Sequence, residues 1–162
     1  MEGLIVRAAR PDDLDEILRL WLQMVELHTE VDPALRMRTD AEALESMRTY
    51  LRAGLESPDS RLLVAETPDV PGLAGFLFAH IRTISPLAVP PTAGFVSDIC
   101  VDDRLRRRGI GRELFLAARD WFRERGQAMI RLNVAAANPV SQSFWRAMGT
   151  REVMLLMQAD LT

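Results

Sequence analysis

An amphipathic helix between two short apolar segments constrains the fold of this chain more than any other feature. Over residues 109–125, apolar residues recur at the spacing of one helix face, and Gly126 follows as a left-handed cap. The flanking segments 95–101 and 128–134 have the composition of strands. Because a helical crossover joins strands that run in the same direction, the sequence predicts one parallel strand pair.

The other predicted strands favour antiparallel neighbours. Strands are expected at 4–8, 61–67 and 72–83, and a last strand at 150–158 closes the chain. A Pro/Gly turn joins the second and third of these strands, which is the short connection that antiparallel neighbours allow. The loop at 84–94, with three prolines, leads into the next strand.

Three further helices begin at capping signals. Pro11 opens the first helix, whose first turn is acidic, and an irregular stretch is expected at 28–38. Thr39 and Glu42 have the spacing of a capping box at the start of the second helix. A short helix is expected from Asn138, which precedes a proline, to Gly149.

Together these elements predict an α/β fold class. The sheet is mixed and mostly antiparallel, with a central parallel strand pair and helices on both faces. The chain has 162 residues, of which 48% are apolar and 27% charged, so it can form one sizeable core but not two. We therefore expect a single domain over residues 1–162.

Residue counts exclude several kinds of chemistry. All 20 basic residues are arginine, so Schiff-base and P-loop lysine chemistry is absent. One cysteine and two histidines are too few for a disulfide or a zinc site, so no metal is expected. No basic leader or apolar run of about 18 residues occurs, which predicts a cytoplasmic protein without a membrane partner.

Charge is divided unevenly along the chain. Residues 1–100 hold 9 arginines and 16 acidic residues, whereas residues 101–162 hold 11 arginines and 7 acidic residues. The asymmetry suggests that the second part meets an anion and the first part a cation, although solvated surface charge produces the same pattern.

A basic, glycine-containing turn precedes the crossover helix. Its residues are Arg106, Arg107, Arg108, Gly109, Ile110, Gly111 and Arg112. Free N–H groups at a helix N-terminus and flanking guanidinium groups together suit a phosphate. A solvated arginine cluster is the alternative. The net charge of −3 and the lack of interleaved aromatics disfavour nucleic acid, and the missing third glycine disfavours a dinucleotide fold.

Three segments in this order resemble the GCN5-related N-acetyltransferase family. They are the strand around Asp98, the Arg106-x-x-Gly109-x-Gly111 turn and the Asn138-x-x-Ser141 helix that ends at Gly149. The resemblance implies that the two parallel strands splay apart and hold acetyl-CoA between them. It also implies an amine acceptor, and dimers are common in the family.

The resemblance assigns cofactor contacts position by position. Backbone groups of Ile99, Cys100 and Val101 would bind the pantetheine and acetyl groups, and one N–H would face the thioester oxygen. The turn from Arg106 to Arg112 would hold the pyrophosphate. Asn138 would contact the pantetheine arm, with Ser141 nearby.

The sequence departs from the family at two catalytic positions. Trp145 stands where many members have a tyrosine acid, and Asn133 where members that acetylate protein N-termini have a glutamate base. Asp98 is the remaining carboxylate near the expected thioester, and we expect it to accept the amine proton directly or through water. The alternative is a structural Asp that binds the backbone at a strand distortion.

Three other residues are candidates near the thioester or the acceptor. His28 and Asp32 lie in the region that borders the acceptor pocket in relatives, although a histidine in a surface loop is the common alternative. Cys100 suits a small apolar filler of the strand better than an acetyl-cysteine intermediate.

The sequence thus predicts an acetyl-CoA-dependent N-acetyltransferase that acts on a primary amine of a small molecule or peptide. The rival hypothesis is a non-catalytic acyl-CoA-binding or sensing domain, which Trp145 and Asn133 favour. The remaining expected partners are the amine acceptor and, from the resemblance, a second copy of the chain.

Overall fold

The computed structural model describes residues 3–159 and 161 and contains one five-stranded sheet. The strands follow one another across the sheet in chain order, and three of the four neighbouring pairs are antiparallel. The strands are β1 Ile5–Ala8, β2 Ser60–Glu66, β3 Leu73–Thr83, β4 Thr92–Val101 and β5 Ile130–Leu132. The helices are α1 Leu14–Val31, α2 Ala41–Glu56, α3 Ile110–Glu124 and α4 Pro139–Ala147. The predicted mixed α/β fold class is confirmed, but the parallel pair lies at one edge of the described sheet rather than at its centre.

Helices cover both faces of the sheet. Side chains of α1 and α2 pack with Leu62, Val64 and Phe76 in one buried cluster. Side chains of α3 and α4 pack with Leu63 and Leu77 in a second cluster on the opposite face. Alternate residues of β2 and β3 therefore pack on opposite faces of the sheet, which is why residues 62–65 of β2 and 73–79 of β3 are all apolar or glycine.

Two helix starts or ends differ from the sequence prediction. Residues 28–31, expected to be irregular, continue α1 to Val31, because no helix-breaking residue occurs before Pro33. Asp40 rather than Thr39 caps α2, since its carboxylate accepts the Ala43 N–H at 3.1 Å. The Glu42 carboxylate pairs with Arg38.

A β-bulge at Ser97 reverses the side-chain alternation of β4. Asp98 is paired with Phe78 and Val96 with Ala79, so Ser97 has no register partner on β3. As a result Val96 belongs to the cluster that packs against α3 and α4, which we call the α3 core. Cys100, four residues later, belongs to the cluster that packs against α1 and α2, which we call the α1 core. Asp98 lies on the α1 face because its cross-strand partner Phe78 does.

The parallel strands β4 and β5 separate after a short contact. They are in register only from Gly94–Ile130 to Val96–Leu132, while β4 continues to Val101. The β5-facing edge of β4 beyond Val96 is thus open, and this confirms the predicted splay.

The predicted last strand at 150–158 is wrong. Residues 151–159 form no strand, and every one of them is exposed. An apolar pattern expresses a preference for burial but does not supply a neighbouring strand, and this segment has none among the described residues.

Candidate active site

The turn before α3 presents an open helix N-terminus. Arg107 has φ 64° and Gly109 has φ 87°, so two left-handed residues bend the chain sharply into the helix. Gly109 is the N-cap and supplies no side-chain hydrogen bond to the first turn. The first N–H groups of α3 therefore point outward without a capping acceptor, as an anion site requires.

The arginines of this turn differ in availability. Arg108 lies 3.1 Å from a carboxylate oxygen of Asp69, and Arg112 pairs with Glu113. Among the described residues, the side chains of Arg106 and Arg107 have neither a hydrogen bond nor an ion pair. These two guanidinium groups are thus the ones free to meet an anion.

A cleft lies where β4 and β5 separate. It is lined by residues of α1, β4, the end of β5 and α4, namely Met24, His28, Val96, Ser97, Ile99, Leu132, Asn133, Val134, Ala135, Asn138, Ser141 and Trp145. Of the residues singled out from the sequence, six line this cleft: His28, Ile99, Asn133, Asn138, Ser141 and Trp145. Val101 and Ile110 pack in the α3 core.

Asn138 lines the cleft and is also the N-cap of α4. It is 4% exposed and caps α4, where its side-chain oxygen accepts the Ser141 N–H at 2.9 Å. That oxygen is occupied, so its amide N–H₂ is the group left for a ligand. Ser141 lines the cleft one turn into the helix.

Asp98 does not line the cleft itself; it faces the α1 side of β4 between Ser97 and Ile99, which do line it, and it lies near His28. It is partly buried, and burial raises the pKa of its carboxyl above the usual range. The neighbouring Ser97 hydroxyl and the nearby His28 oppose this rise in pKa. A carboxylate with a raised pKa, next to the cleft, is a suitable proton acceptor for an amine.

A polar cluster behind Asp98 was not predicted from the sequence. His80 is 8% exposed; its Nε2 lies 3.0 Å from both the Tyr50 hydroxyl and Ser97 Oγ, and its Nδ1 lies 3.0 Å from Ser60 Oγ. Burial lowers the pKa of His80 to about 4, so the ring is neutral near pH 7. The cluster joins three strands and α2, and no local pattern in the sequence signals such a contact.

Asp102 is a second residue that sequence reasoning missed. It is fully buried just after β4, and its carboxylate accepts hydrogen bonds from Arg19 at 2.9 Å and from Arg104 Nε and Nη2 at 2.8 Å. These guanidinium groups hold its pKa well below the usual range. Asp102 thereby fixes α1 to the segment that leads into the turn at residues 106–112, which we call the anion turn.

Two candidates have little access to the cleft. Cys100 is 6% exposed in the α1 core, and burial raises the pKa of its thiol to about 12, which disfavours a nucleophilic thiolate. Asp32 is absent from the cleft lining; its carboxylate accepts the Ala34 N–H at 3.0 Å as the cap of a short 3₁₀ helix.

Trp145 lines the cleft as part of the core. Its ring makes edge-to-face contacts with Phe115 and Phe144, at centroid distances of 5.4 Å and 4.9 Å. It supplies an apolar wall and one indole N–H.

Comparison with known protein families shows which family this chain belongs to. Residues 21–150 match the model of the acetyltransferase (GNAT) family, which covers most of the chain and includes the cleft and the anion turn. The chain belongs to the GNAT acetyltransferase family. No functionally curated protein matches the sequence.

Solved GNAT-like structures support this assignment. A tetramutant of a Bacillus halodurans protein superposes with a TM-score of 0.83 at 25% identity, over 97% of this chain and 99% of that one. An aminoglycoside antibiotic 6'-N-acetyltransferase from Acinetobacter haemolyticus has a TM-score of 0.75 at 18% identity, over 98% of both chains. A glucosamine-6-phosphate N-acetyltransferase from Arabidopsis thaliana has a TM-score of 0.72 at 16% identity, over 99% and 100%. The latter two show the fold alone.

Two other features of the described residues bear on the predictions. No helix in residues 3–159 is both long and apolar enough to cross a membrane. Within the same part of the chain, no three His, Cys, Asp or Glu residues gather where they could hold a metal ion.

Proposed function

We propose that this GNAT protein is an acetyl-CoA-dependent N-acetyltransferase that acts on a primary amine of a small molecule or peptide. The observation that carries the proposal is the cleft between β4 and β5, with the partly buried carboxylate of Asp98 between the cleft residues Ser97 and Ile99. The uncapped N-terminus of α3 supplies an anion site on the same crossover. Membership of an acetyltransferase family agrees with this arrangement.

The residues present fit acetyl-CoA. The turn at 106–112 offers outward N–H groups and the unpaired Arg106 and Arg107 for a diphosphate. The open β4 edge at Ile99, Cys100 and Val101 offers backbone groups for an extended pantetheine arm, and Asn138 and Ser141 line the opposite wall. When bound, acetyl-CoA would supply a thioester carbonyl as the electrophile.

The reaction also needs a group that removes a proton from the acceptor amine. An amine must lose its proton to attack, and Asp98 is the carboxylate placed to take it, directly or through a water. His28 borders the same space and would help to position the acceptor. The leaving thiolate has a pKa of about 8.5 as the free thiol, so the absence of a tyrosine hydroxyl at Trp145 is tolerable.

An Asp98→Asn substitution tests this assignment. Free thiol released from acetyl-CoA is measured across a panel of primary amines, and coenzyme A affinity is measured by calorimetry. Loss of the base should reduce the maximal rate by roughly 10²- to 10⁴-fold, while coenzyme A affinity stays within about twofold. The matched control is Asp103→Asn, which removes an exposed carboxylate just after the end of β4.

Two outcomes would contradict the proposal. Equal rates for both variants would remove Asp98 from the mechanism. Tight coenzyme A binding without turnover of any amine would instead support the acyl-CoA sensor, which Asn133 and Trp145 in the cleft favour.

A further inference from the structure

Arg82, near the end of β3, presents a guanidinium group without an acidic partner. The side chain is exposed, and among the described residues it forms neither a hydrogen bond nor an ion pair. Its guanidinium carbon lies 4.5 Å from the centre of the Phe95 ring on β4. Stacking on a ring restricts the side chain but leaves the N–H groups at its edge available to an anion.

Arg82 and Asp98 lie on the same face of the sheet, the face that α1 and α2 cover. Phe78 belongs to the α1 core, and His80 and Arg82 follow it at two-residue intervals along β3. The register pairs Phe78 with Asp98 and His80 with Phe95. Two residues of strand are about 7 Å long, so the guanidinium group on Phe95 lies roughly 7–11 Å from the Asp98 carboxylate.

The electrostatics agree with this placement. Burial has the largest effect on the pKa of both Asp98 and His80, and the positive charge of Arg82 lowers the pKa of each. His28 is the other cationic side chain that lowers the pKa of Asp98. The charged groups that act on the proposed base are therefore both basic.

The cleft itself suits an apolar chain better than a second ammonium group. Seven of the twelve residues that line it are apolar, and none of the twelve is acidic. His28 is the one lining side chain that can gain a proton, and it then becomes positive. A second ammonium group would lose water in this space without gaining a carboxylate other than Asp98.

We propose that the acceptor carries one primary amine on an apolar chain and, several bonds away, an anionic group that binds Arg82. The inference rests on the proposed acetyl transfer, because the amine would be deprotonated by Asp98. A separation of roughly 7–11 Å corresponds to a chain of about six to nine bonds. An α-amino acid is too short, since a single carbon atom joins its amine to its carboxylate.

Three amines that share a six-carbon chain test the acceptor class. The far end of the chain is a carboxylate in 6-aminohexanoate, a methyl group in hexylamine and a second ammonium group in 1,6-diaminohexane. Binding to the full chain saturated with coenzyme A is measured by calorimetry, so the result does not depend on turnover. We expect 6-aminohexanoate to bind about tenfold more tightly than 1,6-diaminohexane, with hexylamine between them. The net charge of −3 alone would favour the diamine, so this order would have to come from local charges.

An Arg82→Gln variant tests the assigned residue. It should lower the preference for 6-aminohexanoate over 1,6-diaminohexane by about tenfold, and high salt should weaken the preference of the wild type. Arg61→Gln is the matched control. Arg61 is exposed on β2 and alternates with Leu63, which packs in the α3 core, so it lies on the opposite face of the sheet. The control changes the net charge equally and should keep the preference within about twofold of the wild type.

Several results would overturn the inference. They are an equal or tighter binding of 1,6-diaminohexane, a similar change of preference in Arg82→Gln and Arg61→Gln, and a lack of binding by all three amines to a protein that binds coenzyme A. Release of free thiol from acetyl-CoA, measured with the same amines, tests the proposed function separately. The expected order of binding without acetylation of any amine would contradict the proposed function but support the acceptor class. Acetylation without that order would support the proposed function and contradict the role of Arg82.

Discussion

At the scale of single residues, Ser97 lines the cleft and also contacts the polar cluster around His80. The β-bulge places Ser97 without a register partner, and its Oγ lies 3.0 Å from His80 Nε2 and 3.2 Å from the Phe78 carbonyl. The Ser97 hydroxyl also lowers the pKa of the neighbouring Asp98, against the effect of burial. Ser97 is therefore a positioning residue for the proposed base.

A Ser97→Ala variant should move the pH profile of the reaction. Without the hydroxyl that lowers it, the pKa of Asp98 rises further, so the acid limb of the rate profile shifts to higher pH. The measurement is the maximal rate between pH 5 and pH 9. Ser46→Ala, which removes a hydroxyl bonded only to the α2 backbone, serves as the control and should keep the original profile. An unchanged profile for Ser97→Ala would separate Ser97 from the base.

His80 makes folding stability depend on pH. In the folded chain its pKa is about 4, and in the unfolded chain it is near 6.5. Above pH 6.5 the ring is neutral in both states. As the pH falls from 6.5 toward 4, only the unfolded chain gains the proton, so stability falls by up to about 3 kcal/mol. Urea unfolding measures the free energy of unfolding at pH 7 and pH 4.5 for wild type and His80→Asn. The loss of stability between the two pH values should be smaller for the variant; an equal loss would show that His80 is not its cause.

At the scale of elements, the sequence predicted what local signals control. The helix at 109–125 and its left-handed Gly126 were recovered within a residue or two, because amphipathic spacing and caps act over one or two turns. The bulge at Ser97 depends on the pairing between β3 and β4, which no segment of β4 reveals by itself. The prediction of a strand at 150–158 was wrong for a similar reason, because a strand forms only where a neighbouring strand pairs with it, and the segment alone does not show one.

The two glycines of the anion turn have different roles. Gly109 adopts φ 87°, where an alanine is strained, although a Cβ there would meet no atom within 4 Å. Gly111 lies in α3, where a Cβ would only reach ordinary contact with Phe144 at 3.5 Å. The sequence interpretation gave both glycines the same purpose, closeness to an anion, and the structure supplies a backbone requirement for Gly109 alone.

Alanine at each position should therefore act on different properties. Gly109→Ala is expected to lower the free energy of unfolding by about 1 kcal/mol, as measured by urea titration. Gly111→Ala should leave stability within about 0.5 kcal/mol but weaken coenzyme A binding, if the diphosphate approaches that backbone. Unaltered coenzyme A affinity in a stable Gly111→Ala variant would show that the diphosphate lies elsewhere on the turn.

At the scale of the whole molecule, the cleft is assembled from segments that are far apart in the sequence. Its walls come from α1, β4, β5 and α4, and the sequence indicated them only through the family resemblance. The residues of the anion turn could be predicted from their own sequence pattern. His80 and Tyr50 are brought together only when β3 and α2 pack against each other. Local sequence signals therefore indicated the turn before α3 but not the polar cluster around His80.

The uneven charge of the chain is also partly cancelled in the fold. Residues 101–162 carry an excess of arginine, but Arg108 reaches Asp69 in the turn between β2 and β3, at 3.1 Å. The pair is exposed, so it contributes little to stability and competes with any anion for the guanidinium group. Arg125 forms a similar exposed pair with Asp59 at the other end of α3.

Releasing Arg108 should strengthen coenzyme A binding. Asp69→Asn removes the competing carboxylate near the anion turn, and affinity should rise by about threefold at low salt. Asp59→Asn changes the net charge of the protein by the same amount but frees Arg125 instead, so it should have a much smaller effect. Calorimetric titrations at low and high salt separate the two, because the gain at Asp69 should shrink as the guanidinium group is screened. Equal gains for both variants would mean that net charge, rather than the turn before α3, attracts the cofactor.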